Sequence, residues 1–171
     1  MICLLAIPAL AVPENITTGH YNISFDIGLS NDSYKINISA PKITESLGGD
    51  ISTNYDISIR GGLRLIGITL TEREDGMKLS PSDVELILRL SLEDLSLTNI
   101  DIAKRIIDKS NGAVATGKLL IGYYKTKEDI YAAIYYPSFN NNLSVTIYSN
   151  YPWDEGTLQL LKTIYVEKVA T

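Results

Sequence analysis

Short stretches of the chain alternate between apolar and polar residues, a pattern typical of β-strands with one face toward a core. In "HYNISFDIG" the tyrosine, isoleucines and phenylalanine point one way, while Asn22 points the other. The same alternation returns in "YKINISA", after the turn-forming "LSNDS", so these two stretches are predicted to pair as a β-hairpin. A second strand pair is predicted from "NYDISIR" and "LRLIGITLTE", on either side of Gly61 and Gly62.

A longer period follows in "LSPSDVELILRLSLEDLSL", which predicts a helix. Ser80 suits the N-cap and Pro81 the first helical position. The polar side chains form one narrow stripe, so this helix is predicted to be mostly buried. The next stretch, "NIDIAKRIID", fits either a helix capped by Asn99 or a strand from about Lys104 to Asp108, and the following Asn111-Gly112 turn favours the strand.

Three further strands are predicted from "AVATGKLLIGYY", "IYAAIYYP" and "LSVTIYSN", and a short helix followed by an extended tail from "YPWDEGTLQLLKTIYVEK". No internal repeat or linker interrupts the pattern. The sequence therefore predicts a single α+β domain, with a central antiparallel β-sheet flanked by two or three helices.

The stretches "GAVATGKLLIGYY", "IYAAIYYP", "LSVTIYSN" and the closing "LLKTIYV" resemble the PsbP-like fold family in the order of their elements. That family includes extrinsic photosystem subunits and a Ran-binding nuclear import factor. The resemblance covers roughly residues 21–167 and implies an α/β/α sandwich with a non-enzymatic scaffold or binding role. It supplies no metal-binding or GTPase-binding residues, because no motif of this chain matches them.

The chain begins with an uncharged apolar run from Ile2 to Val12, in which Ala9-Leu10-Ala11 has the small-x-small pattern of a signal-peptidase site. The run is shorter than the roughly 20 residues of a transmembrane helix. We therefore expect residues 1–11 to be a signal-peptide remnant and residues 12–171 to form the domain. Because a positive charge before the run is missing, two alternatives stay open: the true start lies upstream, or the segment is a first strand or buried arm instead.

Asn-x-Ser/Thr sequons support an extracytoplasmic location, at the cell surface or secreted, because glycosylation of this motif accompanies export. They are predicted as glycosylation sites at Asn15, Asn22, Asn31, Asn37 and Asn142. The only cysteine, Cys3, lies in the apolar run, so the predicted mature chain has none. In having many sequons and no cysteine after the apolar run, the chain resembles an exported archaeal member of the PsbP-like family.

Composition argues against several classes of function. The formal net charge is −5 and the basic residues are scattered among acidic ones, which disfavours a nucleic-acid partner. A single histidine disfavours most zinc sites and histidine-dependent triads. We predict no cofactor, no metal and no catalytic residue.

The stretch "GAVATGK" matches most of a phosphate-binding loop, with Gly112, Gly117 and Lys118 at the motif positions. Such a loop needs a hydroxyl residue after the lysine and a helix start beyond it. Here Leu119 follows, within a β-rich stretch. The sequence therefore predicts a hairpin strand at this position.

Two alternatives remain open from the acidic residues. The turns containing Asp26, Asn31 and Asp32, and Glu72, Glu74 and Asp75, offer oxygen ligands for a calcium-stabilised adhesion domain, although neither has EF-hand spacing. A carboxylate-dependent extracytoplasmic hydrolase would use two acids brought together by the fold.

Aromatic residues concentrate in the last third of the chain and suggest the leading hypothesis. Tyrosine combines an apolar ring with a hydrogen-bonding hydroxyl, so a sheet face rich in it suits a protein or cell-envelope partner. Cross-strand aromatic pairing that only stabilises the sheet is the alternative. The predicted function is an exported, non-enzymatic binding or structural module whose partner face contains Tyr123, Tyr131, Tyr135, Tyr136, Tyr148 and Trp153.

Overall fold

The computed structural model describes residues 13–74, 103–111, 114–124, 130–135, 137, 139–140 and 142–169. Within them the strands are β1 Glu14–Thr18, β2 Tyr21–Phe25, β3 Lys35–Ile38, β4 Lys42–Glu45, β5 Ile51–Gly61, β6 Arg64–Arg73, β7 Ala103–Asn111, β8 Val114–Tyr124, β9 Ile130–Tyr135, β10 Leu143–Ser149 and β11 Tyr165–Lys168. A short turn, Asn31–Ser33, precedes β3. A wide turn, Trp153–Thr157, leads into the helix α1, Leu158–Thr163.

The strands form two antiparallel sheets. The smaller sheet has the order β1-β2-β11, so β2 is its central strand. The larger, eight-stranded sheet has the order β3-β5-β6-β10-β9-β8-β7, and β4 pairs with β5 beside β3. The prediction of antiparallel sheet structure is confirmed.

The predicted α+β class is wrong, because the described chain is mostly β and its helical structure is limited to one 3-10 turn, Asn31–Ser33, and the short segment Trp153–Thr163. A second sheet covers part of the large sheet, where the PsbP-like sandwich would have a helix. The predicted pairing of "HYNISFDIG" with "YKINISA" is also wrong: β2 pairs with β1 and β11, whereas β3 pairs with β5. The predicted apolar start and the helix from Ser80 lie outside the described residues.

The other strand predictions agree with the structure. β5 and β6 form the hairpin predicted around Gly61-Gly62. The ambiguous stretch near Lys104 is the strand β7, which pairs with β8. Gly117 and Lys118 lie within β8, so this part of the "GAVATGK" stretch is strand, as predicted.

One hydrophobic core lies between the two sheets. On the small sheet it contains Ile16, Tyr21, Ile23, Phe25 and Val166; on the large sheet Tyr55, Ile57, Ile59, Ile66, Ile68, Leu70, Val145 and Ile147; and beside them Leu160, Leu161 and Ile164. Alternate residues of β2, β5, β6 and β10 supply most of it, as the period of two requires. Each fully buried isoleucine or leucine contributes roughly 1.5–3 kcal/mol.

An aromatic contact links the sheets at one end of the core. The rings of Tyr21 and Tyr55 meet edge to face with centroids 5.7 Å apart. The carboxylate of Glu72 on β6 lies close enough to both hydroxyls to raise the pKa of each tyrosine. The side-chain amide of Asn140 also donates to the Tyr21 hydroxyl over 3.2 Å. These contacts fix the position of the small sheet along the large one.

A second set of contacts holds α1 against the end of β2. The backbone N–H of Asp26 donates to Thr163 Oγ1 over 2.9 Å. The Asp26 carboxylate accepts from Gly28 N at 2.7 Å and from Gln159 Nε2 at 3.1 Å. Both carboxylate oxygens of Asp26 therefore have protein donors.

A glycine in the turn between β1 and β2 lies against Tyr55, so its substitution tests the aromatic contact. Gly19 has a φ of +55°, and a Cβ added there would collide with the Tyr55 ring, whose Cζ would be only 2.9 Å away. Gly62 has a nearly identical φ of +58° but no atom within 4 Å of an added Cβ. Gly62→Ala should cost only the left-handed backbone strain of about 1–2 kcal/mol. Gly19→Ala should cost about 1–3 kcal/mol more, because Tyr55 must move.

Urea unfolding of the two alanine variants and the wild type measures this difference. Equal losses of stability in both variants would show that the Tyr55 ring does not pack on Gly19 as described.

Candidate functional site: a polar groove on the small sheet

The predicted aromatic face is divided between the core and the opposite surface. Tyr131 is buried, and its ring packs on Trp153 with centroids 5.3 Å apart. Tyr131 pairs with Ser149, which is also buried, whereas the neighbouring Tyr148 pairs with Ala132 and is half-buried. Because successive residues of a strand face opposite sides, Tyr148 and Tyr131 do not share a surface.

The other members of the predicted face are placed by their backbone pairing. Tyr123 pairs with Tyr131, and Tyr135 pairs with both Leu119 and Val145. Tyr136 lies outside the described residues. Trp153 begins the wide turn that precedes α1, where it is half-buried. The aromatic face as a partner surface stays a prediction.

The predicted glycosylation sites differ in exposure. Asn15 and Asn37 are exposed, whereas Asn22 and Asn142 are half-buried. Asn31 begins the short turn that precedes β3. Asn37 lies on β3, at an edge of the large sheet, and its sequon hydroxyl residue Ser39 is also exposed.

The sequons of Asn15 and Asn22 form a crossed pair. Asn15 on β1 stands opposite Ser24 on β2, and Thr17 stands opposite Asn22. The asparagine of each sequon therefore faces the hydroxyl residue of the other. Thr17 Oγ1 donates to Asn22 Oδ1 over 2.7 Å.

The third strand extends this pair into two rows. Tyr165 on β11 stands opposite Ser24, and Glu167 stands opposite Asn22. Across β1, β2 and β11 one row is Asn15, Ser24, Tyr165 and the other is Thr17, Asn22, Glu167. These six side chains and Ile16 line an open groove of about 230 Å³, which we call the small-sheet groove.

The groove is held rigidly because its strands are buried on their other side. Ile16, Ile23 and Val166 alternate with the six polar residues of the groove and have exposed fractions of 6%, 0% and 0%. A change of strand register would exchange these apolar side chains for polar ones. The outward positions of the groove residues therefore depend on the core.

The electrostatics of the groove are simple. Glu167 is its single charged residue, and the other polar side chains are amides, hydroxyls and a phenol. No lysine or arginine lines it. A second carboxylate for a paired-acid mechanism is absent from the groove lining as well.

The acidic turns give no metal site in the part of the chain that the structure describes. No group of three or more His, Cys, Asp or Glu side chains there is arranged to hold a metal ion. In the first turn the Asp26 carboxylate accepts two hydrogen bonds, and in the second the Glu72 carboxylate lies near the hydroxyls of Tyr21 and Tyr55. Asp75 lies outside the described residues.

Comparisons with known proteins give no assignment: no family model, curated protein or solved structure matches the chain. Within the described ranges, no helix is long and apolar enough to cross a bilayer.

Sequence reasoning had placed Asn22 on the wet face of its strand but had not singled out Tyr165 and Glu167. A signal for both was present, since "TIYVEK" alternates in the same way as the first strands. That pattern shows that Tyr165 and Glu167 share a face. It does not show that this face adjoins Asn22.

Buried tyrosines make the fold sensitive to high pH. Burial raises the pKa of Tyr21 and of Tyr34, and the neighbouring carboxylates of Glu72 and Glu14 raise them further. The Tyr34 hydroxyl donates to Glu14 Oε1 over 2.7 Å. Burial and the Glu72 charge raise the pKa of Tyr55, and burial raises that of Tyr151. Folding therefore keeps these hydroxyls protonated.

We predict that the free energy of unfolding falls as the pH rises above the ordinary tyrosine pKa of 10.0. There the unfolded chain loses protons that the folded chain retains, so stability decreases by up to about 1.4 kcal/mol per pH unit for each such tyrosine. Urea unfolding from about pH 8 to pH 11, with tyrosinate absorbance, measures both effects.

Tyr34→Phe serves as the control for the pH effect, since its stability should fall less steeply with pH than that of the wild type. Ionisation of all tyrosines in one transition near pH 10, with no loss of stability, would contradict the prediction.

Proposed function

We propose that this protein is an exported, non-enzymatic binding module that holds a component of the cell envelope in the small-sheet groove. The observation that carries the proposal is the register of β1, β2 and β11, which sets two rows of polar side chains beside one tyrosine. Amides, hydroxyls and a carboxylate converge there on one open groove. Such convergence is typical of ligand sites.

Rigidity of the strands supports a binding role. β2 is paired on both sides, and the apolar face beneath the groove is buried. A backbone that is fixed before the ligand arrives loses little conformational freedom on binding. The groove residues therefore favour association without a rearrangement of the backbone.

The chemistry of the groove favours binding over hydrolysis. A glycosidase of the usual kind needs two carboxyl groups flanking the bond that is cleaved. Glu167 is the one carboxylate that lines the groove. Ser24 and Thr17 have no histidine or lysine base among the groove residues, which a hydroxyl nucleophile would need.

Export is supported by the exposure of the sequons at Asn15 and Asn37. The groove, however, limits where a glycan is compatible with binding. A glycan on Asn15 or Asn22 would lie in the groove and exclude another ligand. Asn37 projects from an edge of the other sheet, away from the groove.

We therefore predict that ligand-binding protein from its producing organism is unmodified at Asn15 and Asn22, whereas Asn37 is free to carry a glycan. Peptide mapping by mass spectrometry, on protein captured by the envelope material it binds, measures the occupancy of each site. Full occupancy of Asn15 or Asn22 in the captured fraction would refute the assignment of the groove as the binding site.

Two tyrosines provide a matched test of the proposal. Tyr165 lies in the small-sheet groove, and Tyr148 belongs to the aromatic face predicted from the sequence. Both are half-buried strand residues. Tyr165→Ala should weaken co-sedimentation with isolated envelope material roughly tenfold or more, because loss of a central aromatic contact commonly costs over about 1 kcal/mol.

Tyr148→Ala should bind like the wild type, and unfolding curves of both variants show whether each remains folded. The opposite result, with loss of binding only in Tyr148→Ala, would move the binding surface to the aromatic face.

A further inference from the structure

The small-sheet groove combines donors and acceptors in a way that indicates its ligand class. Asparagine amides and serine or threonine hydroxyls both donate and accept, whereas a carboxylate only accepts. The hydroxyls of a sugar likewise donate and accept. We propose that the ligand is a neutral saccharide, of which one ring is held in the groove; this inference rests on the proposed function.

The row of Thr17, Asn22 and Glu167 suits two neighbouring hydroxyl groups. Since Thr17 donates to Asn22 Oδ1, the amide N–H groups of Asn22 remain to donate to a ligand. Glu167 stands directly opposite Asn22 on the next strand, about 4.7–4.9 Å away between strands. One sugar hydroxyl accepts from the Asn22 amide, and the adjacent hydroxyl donates to the Glu167 carboxylate.

The other row supplies the surface on which the ring lies. Tyr165 is half-buried beside Ser24, and Asn15 completes the row. A tyrosine ring offers an apolar face to the C–H groups of a sugar and a hydroxyl at its tip. The two rows are two residues apart along each strand, which is roughly 6.5–7 Å.

The dimensions limit the ligand to a small unit. The groove volume of about 230 Å³ is below the roughly 300–1,000 Å³ of pockets for drug-sized ligands. A single ring, free or as one unit of a longer chain, matches this size. Weak binding is expected, because the groove is open and a monosaccharide leaves much of its surface in water.

The charge of the groove selects against anionic sugars. Glu167 would repel a uronate or a phosphorylated sugar, and the formal net charge of −5 adds to that repulsion. Phosphate and carboxylate recognition usually requires arginine, lysine or a helix N-terminus, which the groove lining lacks. A neutral ring satisfies Glu167 through a hydroxyl donor.

The test is an NMR titration of the full chain, produced without N-glycosylation, with three groups of methyl glycosides. These are neutral hexopyranosides of several configurations, a hexuronate and a protonated hexosamine. At least one neutral hexoside should shift the backbone signals of Ser24, Asn22 and Tyr165, with binding at least about tenfold tighter than that of the hexuronate. The hexosamine should bind no better than this hexoside.

Glu167→Gln should weaken binding of that hexoside by roughly tenfold or more, because a charged carboxylate accepts a hydrogen bond more strongly than a neutral amide oxygen. The control is Glu45→Gln, at an exposed strand carboxylate of the large sheet, which should leave binding unchanged. Equal binding by Glu167→Gln and the wild type would overturn the assigned role of Glu167.

The two proposals fail in different ways. If the hexosamine or the hexuronate binds best and shifts the same signals, the groove is the binding site but the neutral-saccharide proposal is wrong. If no glycoside shifts these signals while Tyr165→Ala still abolishes envelope binding, the proposed function holds and the saccharide proposal fails. If no glycoside shifts these signals and Tyr165→Ala leaves envelope binding unchanged, both the proposed function and the saccharide proposal are wrong.

Discussion

The isoleucine-rich face of β5 and β6 has to be shielded from water, and the small sheet together with α1 shields it in the described chain. The edge-to-face contact of Tyr21 with Tyr55, and the hydrogen bond from Asn140 to the Tyr21 hydroxyl, join the small sheet to the large one at one end of this cover. The sheets are of unequal size, so isoleucines on the same side of the large sheet but beyond the cover stay exposed. Ile43, whose partner Thr53 is two residues from Tyr55, is 73% exposed.

The same constraint produces the groove. A central strand that buries Tyr21, Ile23 and Phe25 on one side must present Asn22 and Ser24 on the other. Sequence changes on the two sides therefore have different consequences. Inward substitutions remove apolar contacts and reduce stability, whereas outward ones alter the chemistry of the groove above an unchanged core. This separation makes binding measurements on outward variants interpretable, since the variant protein should remain folded.

The sequence predicted the strands better than their pairing. Period-two alternation identified β2, β3, β5, β6 and the last strands, because each needs one buried face. Alternation does not identify a strand's neighbour, since any partner with a matching apolar face satisfies it. Hence β2 was assigned to β3, although it pairs with β1 and with β11 near the end of the chain. Tyr165 and Glu167 were missed for that reason. Tyr131 and Tyr148 lie on opposite sides of the large sheet, because Tyr148 is adjacent in sequence to Ser149, the strand partner of Tyr131.

The crossed sequons show why a glycosylation motif has a second meaning in a β-protein. In a strand, the asparagine of Asn-x-Ser/Thr and its hydroxyl residue are two positions apart, so they project from the same face. When two such motifs pair antiparallel with the register of Asn15 opposite Ser24, they form a compact set of two amides and two hydroxyls. Such a set offers hydrogen-bond donors and acceptors to a polar ligand, and a glycan on either asparagine would occupy the same space. On paired strands a sequon therefore indicates either glycosylation or a polar binding surface. The strand pairing determines at which asparagines the two exclude each other. Asn37 lies outside the crossed pair, so a glycan there does not compete with a ligand.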